Sequence, residues 1–297
     1  MAGEASGGGQ QAHSGRLSAR QGVMLLIAAT VCFSTSDAMA KYLSSSLPVL
    51  EILWLRYIAF LALAVGLEMR APGRRFRTQR PSMQVARALG IFGSAIFFIL
   101  GLWRMPIAEI TAISFVSSPI ITLLSAPLLH EAVGTRRWVA VLLGLAGVLI
   151  VVRPGAAAFQ AAAVLPLISA TCWAIGSVIT RKIAGVERST TTLVWSAGVG
   201  LLILTAMLPL VAVVPAWWQL GLAFLLGTIA ATAQYLVVLA YRHANASLLA
   251  PFSYMQLLWS TGLGWAVFGA WPDFWTIIGA MVIVSAGLLT IGRRRKA

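Results

Sequence analysis

Long apolar runs alternate with short polar stretches along almost the whole chain, and this spacing predicts ten membrane-crossing helices. The runs are Gln21–Lys41, Val49–Met69, Met83–Trp103, Ala108–Leu129, Trp138–Val152, Gln160–Thr180, Thr191–Val214, Trp217–Tyr241, Ser247–Ala270 and Phe274–Ile291. The fifth is short and should extend into its flanks. Residues 1–20, rich in Gly, Ser and Gln and without apolar periodicity, read as a disordered tail. Residues 292–297 form a basic tail. Arg16 and Arg20 before an apolar run, with Ala38-Met39-Ala40 after it, imitate a cleavable signal peptide. The run outlasts the usual apolar core of such a peptide, so it is expected to stay as the first helix.

Composition agrees with lipid as the second solvent. Of 297 residues, 59% are hydrophobic and 10% charged, with mean hydropathy +0.88. A soluble domain carries about 25% charge. Ten spans of about 20 residues leave only tails and short loops, with no room for a soluble domain.

The net charge of +14 would suggest nucleic acid in a soluble protein, but here the basic residues lie between apolar runs. With a cytoplasmic N-terminus, eighteen of the 22 Lys and Arg residues fall on the cytoplasmic side, Arg87 among them. Lys41, Arg104 and Arg153 fall opposite, and Arg56 lies within a helix. This asymmetry supports the ten-helix count and puts both termini in the cytoplasm. An inner-membrane, multi-pass protein is expected, with no nucleic-acid partner.

The chain also repeats itself. At a shift of 140 residues, Ile27–Phe33 meets Leu167–Trp173, Lys41 meets Arg181, and Ala146-Gly147 meets Ala286-Gly287. At 138, Trp103-Arg104 meets Tyr241-Arg242. Residues 21–153 and 160–291 thus read as two five-helix repeats. Five is odd, so the second crosses the membrane in the opposite sense. Inverted repeats suit alternating access, because two halves in opposite orientation can exchange roles about a central site.

The expected fold is therefore all-α and integral to the membrane, ten transmembrane helices as two inverted five-helix repeats. With these features the chain resembles the drug/metabolite transporter superfamily, specifically its EamA-type ten-helix exporters. The likeness rests on the size, the five-plus-five repeat, Phe33-Ser34-Thr35-Ser36 with its partner Trp173-Ala174-Ile175-Gly176-Ser177, and Leu55-Arg56-Tyr57. Pro119, Glu131 and the Ala-Gly pairs of helices five and ten complete it. The second half departs from the pattern: Gly269 stands near the place of Glu131, and Ser196 faces Arg56. The resemblance implies export of small metabolites, amino acids above all, notably aromatic ones, without a cofactor. Drugs and sugar- or nucleotide-linked solutes are the alternative cargo.

Asp37 and Arg56 are the deepest charges. By helical rise they lie at similar depths, so they could pair with each other or bind substrate or protons. Lys41, one turn from Asp37, is another candidate partner. Ser34, Ser118, Trp173, Ser177, Gln234, Tyr254 and Gln256 are the polar and aromatic residues that could line a pathway with Asp37. A polar side chain cannot face hydrocarbon unsatisfied, so each should meet a cavity or another helix; packing between helices is the competing role for the three serines. Few charges among them predicts broad specificity. The scarcity of intramembrane carboxylates makes facilitated movement or exchange credible.

Trp138, Trp217, Trp218, Trp271 and Trp275 sit at helix ends and suit an interfacial belt. Glu109 and Asp273 are expected to be solvated near the surface. Cys32 and Cys172 read as small buried hydrophobes, with neither disulfide nor metal spacing. His130-Glu131-Ala132-Val133-Gly134 lacks the second histidine of a zinc-protease motif, and there is no P-loop or three-glycine nucleotide fingerprint. A membrane enzyme on lipid-linked substrates would need clustered acids or histidines at one interface, which the sequence lacks. Asn245-Ala246-Ser247 matches a glycosylation sequon but falls on the cytoplasmic side. A single chain could be the working unit.

Overall fold

The computed structural model describes residues 6–70, 76–129, 135–152, 161–183, 186–210, 213–243 and 252–290. Glu131, Arg153 and the sequon at 245–247 lie outside them. The described residues hold eleven α-helices and no strand. They are α1 (Ser6–Leu43), α2 (Val49–Arg70), α3 (Pro81–Arg104), α4 (Ile107–Ser114), α5 (Ser117–Leu129) and α6 (Thr135–Val152). After a 3₁₀ turn at Ala161–Ala163 come α7 (Val164–Ile183), α8 (Ser189–Met207), α9 (Trp217–His243), α10 (Met255–Phe268) and α11 (Phe274–Thr290). Among the described residues each of the ten apolar segments contains α-helix, and six stretches are long and apolar enough to cross a membrane: Arg20–Leu43, Val49–Arg70, Pro81–Arg104, Ala161–Thr180, Ser189–Met207 and Trp217–Ala240. The chain is a multi-pass membrane protein.

The helix ends follow local chemistry. Pro81 opens α3, where its missing N–H costs nothing. Gly269, at φ 65, closes α10: its N–H reaches Trp265 O at 2.9 Å and that of Ala270 reaches Gly264 O at 3.1 Å. Asp273, half-buried, caps α11, its Oδ1 accepting the Thr276 N–H at 2.8 Å.

Helix α1 is assigned from Ser6. One expectation is corrected here. The fourth segment is not one helix: α4 and α5 are separated at Phe115 and Val116.

In the bundle α1 packs on α9 and α10, α2 on α8 and α9, and α3 on α7 and α8. α6 packs on α11, and α4 on α10 and α7. Glycines set the closest approaches. A Cβ on Gly227 would stand 2.7 Å from Arg56 O, and one on Gly279 2.7 Å from Gly147 O, so these pairs touch backbone to backbone. Large apolar residues such as Leu202, Leu142 and Met281 face outward, as lipid contact requires. The tryptophans at the helix ends, Trp138, Trp217, Trp218, Trp271 and Trp275, are exposed as well, Trp217 at 89%.

Candidate functional site

Two of the membrane segments lose their helical path at matching places. The fourth breaks at Phe115, whose backbone sits at φ -68 and ψ -11. The ninth turns at Tyr254, at φ -67 and ψ -13. At the first break Pro119 is the cause, since it offers no N–H to the Phe115 carbonyl four residues back and its ring crowds that oxygen. The carbonyl instead accepts from Ser118 N at 3.1 Å, and Tyr254 O accepts from Leu257 N at 3.0 Å, so both breaks close through a bond three residues along.

The breaks meet. The Phe115 and Tyr254 rings lie 4.8 Å apart, tilted by 51°. Tyr254, buried, also shares a side-chain hydrogen bond with Ser118. Beside them the Ser34 hydroxyl of α1 donates to the Gln256 carbonyl at 3.2 Å and stands 3.2 Å from Ser260 Oγ. Thr111 Oγ1 of α4 lies 3.2 Å from the same Ser260 oxygen. Three buried hydroxyls thus join α1, α4 and α10 next to the aromatic pair. Ser34, Ser118, Tyr254 and Gln256 come together here. Phe115, Thr111 and Ser260 belong to the same cluster although the sequence did not single them out.

Asp37 and Arg56 form a second, neighbouring group. Arg56 Nη1 lies 4.0 Å from Asp37 Oδ1, and both side chains are largely buried. Arg56 sits where α2 crosses Gly227 of α9, so the pair bridges α1, α2 and α9. Lys41 does not join it. Its Nζ donates to Leu102 O at 2.9 Å and Met105 O at 2.6 Å, and lies 5.7 Å from the centre of the Phe268 ring. The end of α3 offers unpaired carbonyls and negative dipole, which a cation satisfies. Trp173 and Ser177 on α7 and Gln234 on α9 are half-buried. None of the hydrogen bonds or ring contacts found among the described residues connects these three to either group.

Arg87 corrects the charge assignment. It lies within α3 and is fully buried, not in a cytoplasmic stretch. Its Nε donates to Thr180 Oγ1 at 2.7 Å and Nη1 to Thr192 O at 3.4 Å, with a further contact to Ser196 Oγ. Gln84 Nε2 donates to Thr192 Oγ1 at 3.1 Å, and Thr191 to Glu68 Oε1 at 2.9 Å. A buried arginine is tolerated because hydroxyls and a carbonyl replace its water. These polar ties hold α2, α3, α7 and α8 together at the end opposite Lys41.

A model of the EamA-like transporter family matches residues 20–153 and again residues 160–292. The S-adenosylmethionine uptake transporter of Rickettsia bellii is 28% identical, covering 93% of this chain and 95% of its own. The riboflavin transporter of Rhizobium johnstonii is 32% identical, covering 90% and 89%. The pseudopaline exporter CntI of Pseudomonas aeruginosa is 27% identical, covering 93% and 98%. A solved crystal structure shares the fold, with a TM-score of 0.68 at 22% identity over 91% of this chain and 96% of that one.

Proposed function

The chain belongs to the EamA-like transporter family, and from that premise we propose that the paired breaks at Phe115 and Tyr254 form the substrate site of an alternating-access carrier. It is a small-molecule transporter and not an enzyme. The observation that carries the site is the match between the two breaks: near-identical backbone angles, at corresponding points of the two halves, with their aromatic rings in contact. Substrate sites of transporters form at interrupted membrane helices, whose backbone and side-chain polar groups can turn from one another to a solute.

The two inverted repeats are supported by the packing. Exchanging the first five segments for the second five turns the α1–α9 contact into α3–α7, α2–α9 into α3–α8, and α1–α10 into α7 against α4 and α5. The α2–α8, α6–α11 and α4–α10 contacts map onto themselves. A two-fold axis in the membrane plane would produce this pattern. With both termini in the cytoplasm, Lys41 ties α1 to the α3–α4 turn and to α10 on the outer side, and its release would accompany opening there.

The cargo we infer is a small zwitterionic metabolite, amino acids first, moved outward across the inner membrane with broad specificity. Phe115 and Tyr254 offer aromatic surface; Ser34, Ser118 and Gln256 offer hydrogen bonds; Asp37 and Arg56 offer opposite charges for a zwitterionic head. Trp173, Ser177 and Gln234 would join the wall as the bundle changes state. A second reading has its own support: two relatives are named for S-adenosylmethionine and riboflavin, and a planar heteroaromatic ring would stack in the same place.

Flux of a labelled panel in proteoliposomes tests both, with and without a pH gradient. The panel holds amino acids, riboflavin and S-adenosylmethionine. Saturable movement of amino acids is expected. Movement of the ring compounds alone would favour the second reading, and no saturable movement of any solute in the panel would contradict both.

A further inference from the structure

α3 and α7 pack side by side, from Gly101 against Pro166 through the Ser94–Ser169 hydrogen bond to Arg87 on Thr180 near the basic end of the bundle. Along this contact a Cβ on Gly90 would stand 3.0 Å from Cys172 O and from Gly176 N, so only the missing side chains let the two backbones approach. One to two turns away the helices flank an open groove of ≈ 200 Å³, lined by Ser82, Met83, Ala86, Val178, Ile179 and Lys182. Its polar members stand at the helix ends: Ser82 is the second residue of α3 and Lys182 the last but one of α7. Met83, Ala86, Val178 and Ile179 continue it inward. The groove is therefore apolar at hydrocarbon depth and cationic at headgroup depth.

Lys182 is the one charged residue that lines the groove, and it is exposed. Two carboxylates belong to the same end of the bundle: Glu68, beside Thr191 and Arg188, and Glu187, whose Oε1 accepts from the Thr78 hydroxyl at 2.7 Å, Gln79 N at 2.8 Å and Arg80 N at 3.2 Å. Arg87 belongs to the same stretch of α3 but turns into the bundle, toward Thr180 and Ser196.

We propose that this groove binds an anionic phospholipid of the leaflet at the basic end, one acyl chain lying between α3 and α7 and the phosphate at Lys182 and Ser82. A flexible acyl chain can lie along an apolar groove between two helices. Lysine near the headgroup level attracts anionic lipids, whereas a zwitterionic lipid brings a cation of its own to the mouth. The lipid would brace the α3–α7 contact, which joins the two halves.

Native mass spectrometry of the purified full chain tests this, with phosphatidylglycerol and phosphatidylcholine of identical acyl chains at equal concentration. The wild type should retain phosphatidylglycerol about five-fold more, the preference expected from one cation near the headgroup. Lys182→Gln should bring the ratio close to one, and Lys182→Arg should keep it. Ala86→Phe, which fills the groove, should lower adducts of both lipids. Equal retention by the wild type, or an unchanged preference in Lys182→Gln, would overturn the proposal. So would glycerol 3-phosphate displacing the lipid, since the site would then need no acyl chain. Should Ala86→Phe fail to insert, the two Lys182 variants still decide.

Discussion

Asp37 and Arg56 stand 4.0 Å apart in a largely buried setting, where each charge would be uncompensated without the other. Asp37→Asn should therefore lower stability by about 3 kcal/mol, read as an earlier thermal transition in detergent. Combining it with Arg56→Gln should recover most of that loss, because both charges are then gone. If the double variant is stable yet does not transport, the pair serves the substrate; if it transports, the pair is structural. Lys41 gives a second prediction. In a chain with Cys32 and Cys172 replaced by Ala, Ser260→Cys is buried and should label slowly from outside. Adding Lys41→Met should speed labelling by an impermeant thiol reagent several-fold, and an unchanged rate would rule Lys41 out as an outer tie. The Asp37–Arg56 pair was legible in the sequence because helical rise converts residue numbers into depth. The partners of Lys41 and Arg87 were not. Carbonyls such as Leu102 O and Thr192 O leave no trace in a side-chain pattern, and Arg87 lies close enough to a loop to be counted with it.

The ten segments were readable because hydrophobic length is a physical demand of the bilayer. The break in the fourth was readable only through Pro119, and nothing at Tyr254 itself marks a turn. Their meeting is tertiary and could not be derived from either segment alone. Pro119→Ala should restore an N–H for the Phe115 carbonyl and let α4 and α5 run on as one helix. Transport should then fall while the protein stays folded and no less thermostable; undiminished flux would show that the interruption is dispensable. The tight crossing of α2 and α9 carries the opposite expectation. Gly227→Ala would press a Cβ to 2.7 Å from Arg56 O, and rigid backbone cannot yield as a side-chain tip can. A loss of about 1–3 kcal/mol is expected, seen as a lowered thermal midpoint.

At the scale of the molecule, the repeat spacing near 140 residues, the twice-matching family model and the exchangeable contacts agree on a bundle made of two related halves. Opposite orientation of the halves requires both termini on one side. A periplasm-active reporter should be silent after Ala297 and active when inserted after Ser45, in the α1–α2 connection. Activity at Ala297 would break the ten-segment arrangement. The substrate was the least legible property, because Ser34, Ser118 and Gln256 suit hydrogen bonding to many solutes and no fixed motif selects one. The claim that the paired breaks form the site can still be tested with whichever solute the panel identifies. The most direct measurement compares its flux in proteoliposomes carrying wild type, Tyr254→Ala or Leu258→Ala at matched protein. Leu258, 64% exposed on α10, serves as the lipid-facing control. Loss of an aromatic contact at the centre of a binding pocket should cut flux by about ten-fold in Tyr254→Ala, with Leu258→Ala unchanged. Equal flux in Tyr254→Ala and wild type would place the substrate elsewhere in the bundle.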